Sequence, residues 1–508
     1  MISRRALIAG AFALGAMPRM GLAQASPTPE GLIAAAQARA AAPYRPPSRD
    51  LAAPFDALDY DSYRGVRPRP GKAAALPLGG QFRADLLPPG WLFREPVQIS
   101  LPGHDTRFAT DLFSYDPALV ALPTPLPDMA GMGFSGLRLH YPLNRADHWD
   151  EVLVLQGASY FRALAVDTVY GLSARGFALG TGGAGPEEFP LTEEIHVFSA
   201  DSAVQFGCLI DRPRAAAAFI ATLTPGAVTR MACQLHLFAR TQLEDAGIAP
   251  LTSMFQHNAL GPARIDDFRP AVHDSDVLVM ENGAGEVIWR PLANPARLQM
   301  SAFADQNPRG FGLLQSPTEF AAFRDAEAAY HRRPSAWITP QGDWGRGAVM
   351  LLEIPTENEF ADNIVAFWRP EAPLGPGGHV FAYDLEWRAP GGGALPLAPL
   401  PLQLAHMASG IEPNLRAGRL FVLDYTGQPP DGGASMQPEF GKLAGAEISG
   451  VALYPLEGAR DTWRLSFVLT PEPGVDVAEL RLRLRSADGT VLAPLWLYRW
   501  TRSAGGGV

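Results

Sequence analysis

The sequence predicts an all-β protein made of many short strands. From Arg83 onwards, apolar segments of strand length alternate with turns that contain proline or glycine, and helical periodicity is scarce. The 51 glycines and 48 prolines are spread along the chain, which is typical of frequent turns between strands rather than of disorder. A chain of 508 residues is too long for one ordinary hydrophobic core, so we expect two or three domains.

The segment Ala389–Leu400 is the best candidate for a linker. It holds three glycines and three prolines and carries no charge. We therefore expect a large β-sandwich over residues 26–388 and a second domain over residues 401–508. Strand-like segments in the second domain fit a small β-sandwich of immunoglobulin-like size. They are Arg419–Tyr425, Glu447–Pro455, Thr462–Leu469, Glu479–Ser486 and Leu492–Trp500.

Residues 1–25 have the pattern of an export signal. Arg4 and Arg5 precede the uncharged apolar run Ala6–Met17, and Ala23 and Ala25 provide the small residues of a cleavage site. The adjacent arginines favour the twin-arginine route, so we expect the mature protein in the periplasm. The apolar run, about 12 residues long, is too short to cross a bilayer as a helix. An uncleaved membrane anchor is the alternative.

The charge balance argues against anionic partners. Loss of the three arginines within residues 1–25 would take the formal net charge from −10 to −13. An acidic protein is a poor candidate for binding nucleic acid or an anionic membrane, whereas a neutral substrate is compatible with it.

The two cysteines, Cys208 and Cys233, are predicted to remain unpaired. They lie on the first and third strands of a predicted meander, Ala203–Ile210, Ala217–Thr222 and Val228–Phe238. Alternate strands are about 9–10 Å apart, which is too far for a disulfide. A disulfide is the less favoured alternative, because the periplasm would permit one.

Two segments are predicted to be helical. Glu30–Ala42 is rich in alanine and precedes a proline-rich stretch, so we expect a short helix there. Pro317–Tyr330 is the clearest helical candidate in the middle of the chain, where Phe320, Phe323 and Ala326 recur at helical spacing.

The acidic stretch Glu353–Pro370 is the first candidate site. It has four carboxylates within ten residues, followed at once by the apolar run Ile364–Trp368. We expect a loop that presents Asp362 and Asn363 at the end of a buried strand. Apolar surroundings raise the pKa of a carboxyl group, which suits a general acid for cleaving sugars. A solvated acidic loop is the alternative.

A second carboxylate cluster, His273–Asp276, lies in a polar turn before the predicted strand Val277–Met280. Glycoside hydrolysis needs one acid to protonate the leaving oxygen and a second to deprotonate water. Asp274 is the candidate for the second role. The alternative is a turn in which Asp274 or Ser275 hydrogen-bonds to the backbone.

Further side chains near these segments could hold a glycan, because aromatic rings stack on sugar faces and polar groups bind hydroxyls. Each aromatic side chain could equally be part of the core. No spacing indicates a metal or a cofactor, and Gly171–Arg175 does not match the nucleophile elbow of hydrolases. The candidate binding residues are Tyr160, Arg162, Tyr170, Arg175, Glu188, Trp289, Arg290, Arg309, Trp344 and Trp368.

Several longer segments resemble one known family. They occur in that family's order between about residues 55 and 370, and include FREPVQI, GASYFRAL, FRPAVHDSD, RRPSAWITPQGDWGRG and EIPTENEFADNIVAFWRP. The chain resembles the periplasmic glucans biosynthesis proteins G and D (OpgG/OpgD). The segment GPEEFPLT and the loop QHNALGPARIDDFRP depart from the family pattern. Chain-length preference and the balance between hydrolysis and transfer therefore stay open.

The resemblance implies a galactose-mutarotase-like β-sandwich followed by an immunoglobulin-like domain. It implies an inverting endo-β-1,2-glucanase in which Asp362 is the general acid and Asp274 the general base. The alternatives are a β-1,2-glucan transglycosylase and a non-catalytic glucan-binding or assembly protein. The resemblance also suggests a membrane glucan synthase and a second copy of the chain as partners, although no segment of the sequence identifies either contact.

Overall fold

The computed structural model describes residues 27–125, 127, 129, 131–183, 185–261, 266–392, 395–411 and 418–502. The predicted export signal therefore lies outside the described residues. Three α-helices occur in the described part, α1 (Pro29–Ala41), α2 (Tyr60–Arg64) and α3 (Phe320–Phe323). None of these helices has the length and apolar character that crossing a membrane requires.

Strands make up most of the regular structure, which confirms the all-β prediction. The first strands are β1 (Val66–Pro68), β2 (Leu76–Gly79), β3 (Phe82–Leu87), β4 (Gln98–Ser100), β5 (Phe113–Tyr115), β6 (Gly136–Tyr141), β7 (Asp150–Gln156), β8 (Tyr160–Ala163), β9 (Ser173–Arg175), β10 (Phe177–Leu179), β11 (Thr192–Ala200), β12 (Val204–Asp211) and β13 (Ala215–Thr224). The next are β14 (Val228–Ala239), β15 (Ala246–Ser253), β16 (Phe255–His257), β17 (Val272–His273), β18 (Val277–Glu281), β19 (Val287–Pro291), β20 (Gln299–Gln306), β21 (Gly310–Leu314), β22 (Ser335–Gln341), β23 (Arg346–Glu353), β24 (Ile364–Pro370) and β25 (Gly377–Arg388). The last are β26 (Leu402–Ile411), β27 (Arg419–Gly427), β28 (Gln437–Phe440), β29 (Ala446–Pro455), β30 (Thr462–Pro471), β31 (Val477–Arg485) and β32 (Leu495–Thr501).

Two large sheets form the main sandwich. One has the order β2-β3-β6-β7-β8-β9-β15-β24-β23-β20, with β10 also paired to β15. The other has the order β28-β31-β32-β19-β18-β21-β22-β25-β14-β13-β12-β11-β4. Their inner faces meet in one hydrophobic core, where the rings of Phe161 on β8 and Phe219 on β13 stack 5.5 Å apart.

The strand alternation that predicts a sandwich is clear in β14. Its buried residues recur at every second position, and Met231, Cys233, Leu235 and Leu237 face the core. The predicted meander is present as β12-β13-β14, with Cys208 on its first strand and Cys233 on its third. Both cysteines are buried and free, which confirms the prediction of unpaired thiols.

The N-terminal helix prediction is confirmed. Thr28 caps α1 by accepting a hydrogen bond from the Gly31 N–H at 3.1 Å. Leu32 and Ala36 on one face of α1 pack against the outer surface of β12 and β13.

The helix predicted over Pro317–Tyr330 is wrong for most of its length. Only α3 is α-helical there. The next residue, Arg324, has a left-handed φ of 55° and stops the helix. Asp325 Oδ1 then accepts two backbone N–H groups, at 3.0 and 2.7 Å, and holds a turn in place of further helix. A local side-chain hydrogen bond thus competes successfully with helical periodicity.

The C-terminal strands have immunoglobulin-like topology. If β26 to β32 take the letters A to G, one sheet has the order A-B-E-D and the other C-F-G, which is the constant-type arrangement. The two sheets enclose a separate core that includes Phe421, Phe467 and Trp496. The sequence analysis missed β26 and β28, and it placed the other five strands to within a few residues.

The C-terminal unit joins the main sandwich through a continuous sheet. β32 pairs in parallel with β19, so that Trp289 lies opposite Trp496. The segment predicted to be a linker packs at this junction, where Leu395, Leu397 and Leu400 contact the hydrophobic cluster that holds Trp337. The exact domain bounds stay a prediction.

Candidate functional site

Asp362 lies in the loop that joins β23 to β24, as the sequence predicts. Its neighbour Asn363 is buried and anchors the end of this loop. Asn363 Oδ1 accepts from the Phe255 N–H at 2.8 Å, and Asn363 Nδ2 donates to the carbonyls of Phe255 and Ile354 at 2.9 Å each. These bonds fix the backbone beside Asp362, whose side chain remains 25% exposed.

Asp274 follows β17 in a turn that is equally well fixed. Its N–H donates to the Met254 carbonyl at 2.8 Å, and Arg333 Nη1 donates to Asp274 Oδ1 at 2.6 Å. The Arg333 guanidinium also donates twice to the Ala328 carbonyl and lies 4.6 Å over the Tyr330 ring. Asp274 is therefore a buried carboxylate bound by a well-positioned arginine.

Gly171 gives Arg333 the room that this position requires. A Cβ on residue 171 would lie 2.9 Å from Arg333 Cβ and 3.0 Å from Arg333 Cδ. These separations are well below the optimal contact distance of carbon atoms, about 3.5–4.0 Å. A side chain at position 171 would displace the partner of Asp274.

The fold brings Asp274 and Asp362 into one electrostatic environment. Burial raises the pKa of Asp274 to about 6, and the charge of Asp362 acts in the same direction, while Arg333 and Arg162 oppose it. Arg162 Nη2 lies 3.5 Å from Asp362 Oδ2. The charges of two carboxylates from separate loops thus interact.

A cavity of about 410 Å³ opens beside Asp362. Tyr160 and Arg162 line it together, because residues two apart on β8 point to the same face of the sheet. Its rim includes Leu92, which is 66% exposed. The cavity thus combines an aromatic ring, an arginine and a carboxylate with apolar surface, which suits a sugar.

Arg175 packs against Tyr160, one of the residues that line this cavity. Its guanidinium lies 4.5 Å over the Tyr160 ring, donates to Thr252 Oγ1 at 3.1 Å and binds Glu187 Oε1 at 2.6 Å. The neighbouring residue Glu188 is the candidate that the sequence analysis gave for binding a glycan. Glu188 instead binds Arg214 at 3.1 Å and is not among the residues that line this cavity.

The candidate Tyr170 makes its hydrogen bond to β7. Its hydroxyl donates to the Glu151 carbonyl at 3.2 Å, and burial raises its pKa. Tyr170 is not among the residues that line the cavity beside Asp362.

Two candidate aromatics are core residues, which corrects the prediction that they could contact a glycan. Trp368 is fully buried, and Trp344 is 5% exposed and donates its Nε1–H to the Ala382 carbonyl. The two rings lie 6.3 Å apart, and Tyr383 packs against Trp344. No sugar face can reach them in this packing.

Three other candidates lie elsewhere. Trp289 packs at the junction with the C-terminal unit. Arg290 is buried and binds Glu353 at 2.9 Å, which fixes the beginning of the acidic stretch. Arg309 binds Glu281 at 3.0 Å, and its side chain is 55% exposed. The structure does not bring these three residues to Asp362.

Tyr330 connects the turn of Asp274 to the β23–β24 loop. Its hydroxyl donates to Glu359 Oε2 at 2.5 Å, and Arg269 Nη1 donates to the same oxygen at 2.7 Å. Because Tyr330 also stacks against Arg333, direct contacts run from one carboxylate to the loop of the other.

Sequence reasoning did not single out Arg269, Tyr330 or Arg333. The two arginines lie inside the segments FRPAVHDSD and RRPSAWITPQGDWGRG. Acidic residues are close to them in the sequence, and this closeness could have indicated ion pairs. Nothing local indicates which acid each arginine will meet.

The remaining polar residues of the His273–Asp276 motif are buried. His273 Nδ1 donates to Gln315 Oε1 at 2.8 Å, and burial lowers the pKa of His273 to about 3, so the ring is neutral. Burial raises the pKa of Asp276 to about 7, which the hydrogen bond from Asn258 Nδ2 at 2.6 Å opposes. Within the part of the chain that is described, no cluster of three or more metal-ligating side chains occurs.

The described chain is a two-unit, all-β protein in which Asp274 and Asp362 lie in separate loops of the main sandwich and their charges interact. The profile of the family described as "Periplasmic glucan biosynthesis protein, MdoG" matches residues 28–500. The chain therefore belongs to the periplasmic glucan biosynthesis protein (MdoG) family, which confirms the resemblance noted from its sequence segments.

Curated relatives agree with this assignment. The glucans biosynthesis protein G of Vibrio cholerae serotype O1 (strain ATCC 39541) is 42% identical over 457 residues, which are 87% of this chain and 81% of that protein. The protein of the same name from Rhodopseudomonas palustris (strain BisA53) is 42% identical over 479 residues, 91% of each chain. That of Shewanella baltica (strain OS195) is 39% identical over 485 residues, 92% of this chain and 86% of that protein.

Proposed function

We propose that this protein cleaves the β-1,2-linked glucose backbone of periplasmic glucans with inversion at the anomeric carbon. The observation that carries the proposal is that the charge of Asp362, which lines a cavity that suits a sugar, acts on the buried Asp274. An acid and a base on separate loops are the minimal apparatus for this reaction. Family membership favours a glucan as the substrate, since the matched relatives are named glucans biosynthesis protein G.

Asp274 acts as the general base in this proposal. A carboxyl group whose pKa is about 6 is mostly ionised at neutral pH, so it can accept a proton from water, directly or through a sugar hydroxyl. The water oxygen bonds to the anomeric carbon while the glycosidic C–O bond breaks on the opposite face. A single displacement of this kind inverts the configuration.

Asp362 acts as the general acid and donates its proton to the leaving glycosidic oxygen. A sugar seated in the cavity displaces water from this side chain, and enclosure disfavours the charged carboxylate. Arg162 makes only a long contact with Asp362, and its own side chain is 41% exposed, so it can turn towards sugar hydroxyls. After product release, Asp274 returns its proton to solvent, and Asp362 takes up a proton when the next chain binds.

The export route belongs to the same proposal. The twin arginines Arg4 and Arg5 direct the folded protein to the periplasm, where the glucans are found. Changing both to lysine should leave the protein in the cytoplasm, which fractionation of cells measures. Unimpaired export of that variant would point to another route.

The central test is product analysis. The mature protein is incubated with linear β-1,2-glucan, and the products are resolved by size. We expect shorter oligosaccharides from the wild type and a rate loss of about 10²–10⁴ for Asp362→Asn and for Asp274→Asn. Glu371→Gln, at the exposed far end of β24, is the matched control and should retain full activity.

The products also separate the alternatives. Longer or cyclic glucans would establish a transglycosylase, in which a sugar hydroxyl replaces water as the nucleophile. Glucan that stays unchanged after long incubation would contradict catalysis and favour a binding or assembly role. Wild-type turnover in Asp362→Asn would overturn the assignment of the acid.

A further inference from the structure

A second and larger cavity, of about 780 Å³, lies between the main sandwich and the C-terminal unit. We call it the interunit cavity. Its walls are the segment Phe255–Asn258, the segment Leu292–Ala296, the loop segment Pro355–Glu357 and Tyr498 on β32. The cavity therefore touches the first half of the β23–β24 loop, whereas the cavity described above touches Asp362 near the end of that loop.

Two residues of the cavity lining carry buried side-chain acceptors that have no partner among the described residues. Gln256 is 6% exposed and donates its Nε2–H to the Glu357 carbonyl at 3.1 Å, while Gln256 Oε1 has no partner among the described residues. His257 is 5% exposed, and its Nε2 lies 3.0 Å from the Arg269 carbonyl. That nitrogen donates to the carbonyl, and His257 Nδ1 has no partner among the described residues.

Apolar side chains complete the lining. Phe255, Leu292, Pro295 and Tyr498 surround the acceptors. Because Glu357 also belongs to the lining, a ligand that offers hydroxyl donors and apolar faces and carries no negative charge fits this cavity. A glucose unit has both properties, and the volume lies within the range of about 300–1,000 Å³ that is usual for small-molecule sites.

We propose that the interunit cavity is a second sugar-binding site, which holds glucose units of the glucan chain apart from the two carboxylates. The proposal rests on the proposed function for the identity of the sugar. The C-terminal unit then has a direct part in substrate binding, because Tyr498 forms one wall of the site.

The position of the cavity gives this binding a consequence for the acidic loop. Asn294 ties the cavity wall to the loop, since its Nδ2 donates to the Thr356 carbonyl at 2.8 Å and its Oδ1 accepts from the Thr356 N–H at 3.0 Å. A glucan held in both cavities would contact the loop at both ends. Binding in the interunit cavity would thus help to hold Asp362 against the chain that it protonates.

The test fills the cavity and measures binding without cleavage. Ala296 is an exposed residue of the lining, so Ala296→Trp can block the cavity from its rim. The matched control is Ala487→Trp, at an exposed turn of the C-terminal unit. Both are made in the Asp362→Asn protein and titrated with linear β-1,2-glucan by calorimetry. We expect Ala296→Trp to weaken binding about tenfold or more and Ala487→Trp to leave it unchanged.

A second measurement does not depend on the folding of a variant. Crystals of the Asp362→Asn protein soaked in the glucan should show sugar density between Ala296 and Tyr498. Sugar density only beside position 362, or equal affinities of the two tryptophan variants, would overturn the proposal.

The two proposals fail in different ways. If the wild type hydrolyses the glucan while Ala296→Trp binds it as well as the control does, the second site is wrong and the hydrolase stands. If the wild type leaves the glucan intact while Ala296→Trp loses affinity, the second site stands and the hydrolase is wrong.

Discussion

At the scale of single residues, the chemistry of Asp274 is set by opposing neighbours. Burial raises the pKa of its carboxyl group, and the charge of Asp362 adds to that rise. Arg333, at 2.6 Å, and Arg162 hold the pKa down, so that it comes to about 6. Asp274 therefore stays ionised at neutral pH although it is buried, which is what a general base needs.

This balance predicts the pH dependence of activity. A base must be ionised, so kcat/KM should fall about tenfold per pH unit below about pH 6. Arg333→Met removes a charge that lowers the pKa of Asp274, and the midpoint of this acidic limb should move to higher pH. Arg332→Met is the control, because Arg332 is exposed and its side chain donates to the Asp167 carbonyl at 3.1 Å. Coincident pH–rate profiles for the two variants would contradict the role given to Arg333.

Asp276 predicts a pH effect on stability. Its pKa in the folded protein is about 7, above the ordinary value of 3.8, so the folded state keeps a proton that the unfolded chain releases. The resulting stability is complete below the unfolded pKa and is lost as the pH rises through about 7. Asp276→Asn retains an acceptor for Asn258 and cannot ionise.

The free energy of unfolding of Asp276→Asn should therefore fall less between pH 5 and pH 8 than that of the wild type, as urea denaturation measures. Asp343→Asn, at an exposed turn, should keep the wild-type dependence. A wild-type slope in Asp276→Asn would show that another group carries the effect.

At the scale of elements, β24 explains why an exposed acidic loop holds a carboxylate in place. β24 lies between β15 and β23 inside its sheet, and its first five residues, Ile364–Trp368, are buried. Asn363 then joins the loop to β16 and to the end of β23 with three hydrogen bonds. The loop is polar at its surface and rigid where it meets the strand.

This anchoring can be tested within one loop. Asn363→Ala leaves a buried N–H and two carbonyls without partners, so it should lower the free energy of unfolding by about 1–3 kcal/mol. It should also reduce glucan cleavage, because Asp362 loses its backbone support. Asn358→Ala, at an exposed position of the same loop, should change stability by less than about 0.5 kcal/mol. Denaturation and product formation measure both effects, and equal behaviour of the two variants would refute the anchoring role.

At the scale of the whole molecule, the two units share a sheet. β32 of the C-terminal unit continues the sheet of the main sandwich through β19. Arg483 on β31 also binds Glu286, just before β19 begins. Contacts of this kind couple the stability of the two units.

We therefore expect one unfolding transition in calorimetry. Trp496→Ala, at the junction, should lower the free energy of unfolding by about 3–5 kcal/mol and shift the whole transition. Trp463→Ala, on β30 and only half-buried, should cost less. Two transitions, of which Trp496→Ala moves only one, would show that the units unfold independently.

The sequence by itself determined the features that depend on local periodicity and turn chemistry. Apolar alternation and regular turns gave the all-β class and five of the seven C-terminal strands, and strand spacing gave the unpaired Cys208 and Cys233. The acidic segment before Ile364–Trp368 located Asp362 in a loop. Local patterns suffice here because each depends on residues that are close together in the chain.

Only the tertiary structure decided which distant side chains meet. It paired Arg333 with Asp274, Glu187 with Arg175 and Glu188 with Arg214, and it buried Trp368 in the core. Pairing and burial depend on which strands become neighbours, and the pKa of a carboxyl group depends on both. The sequence names the two carboxylates, whereas their environment is a property of the packed sheets.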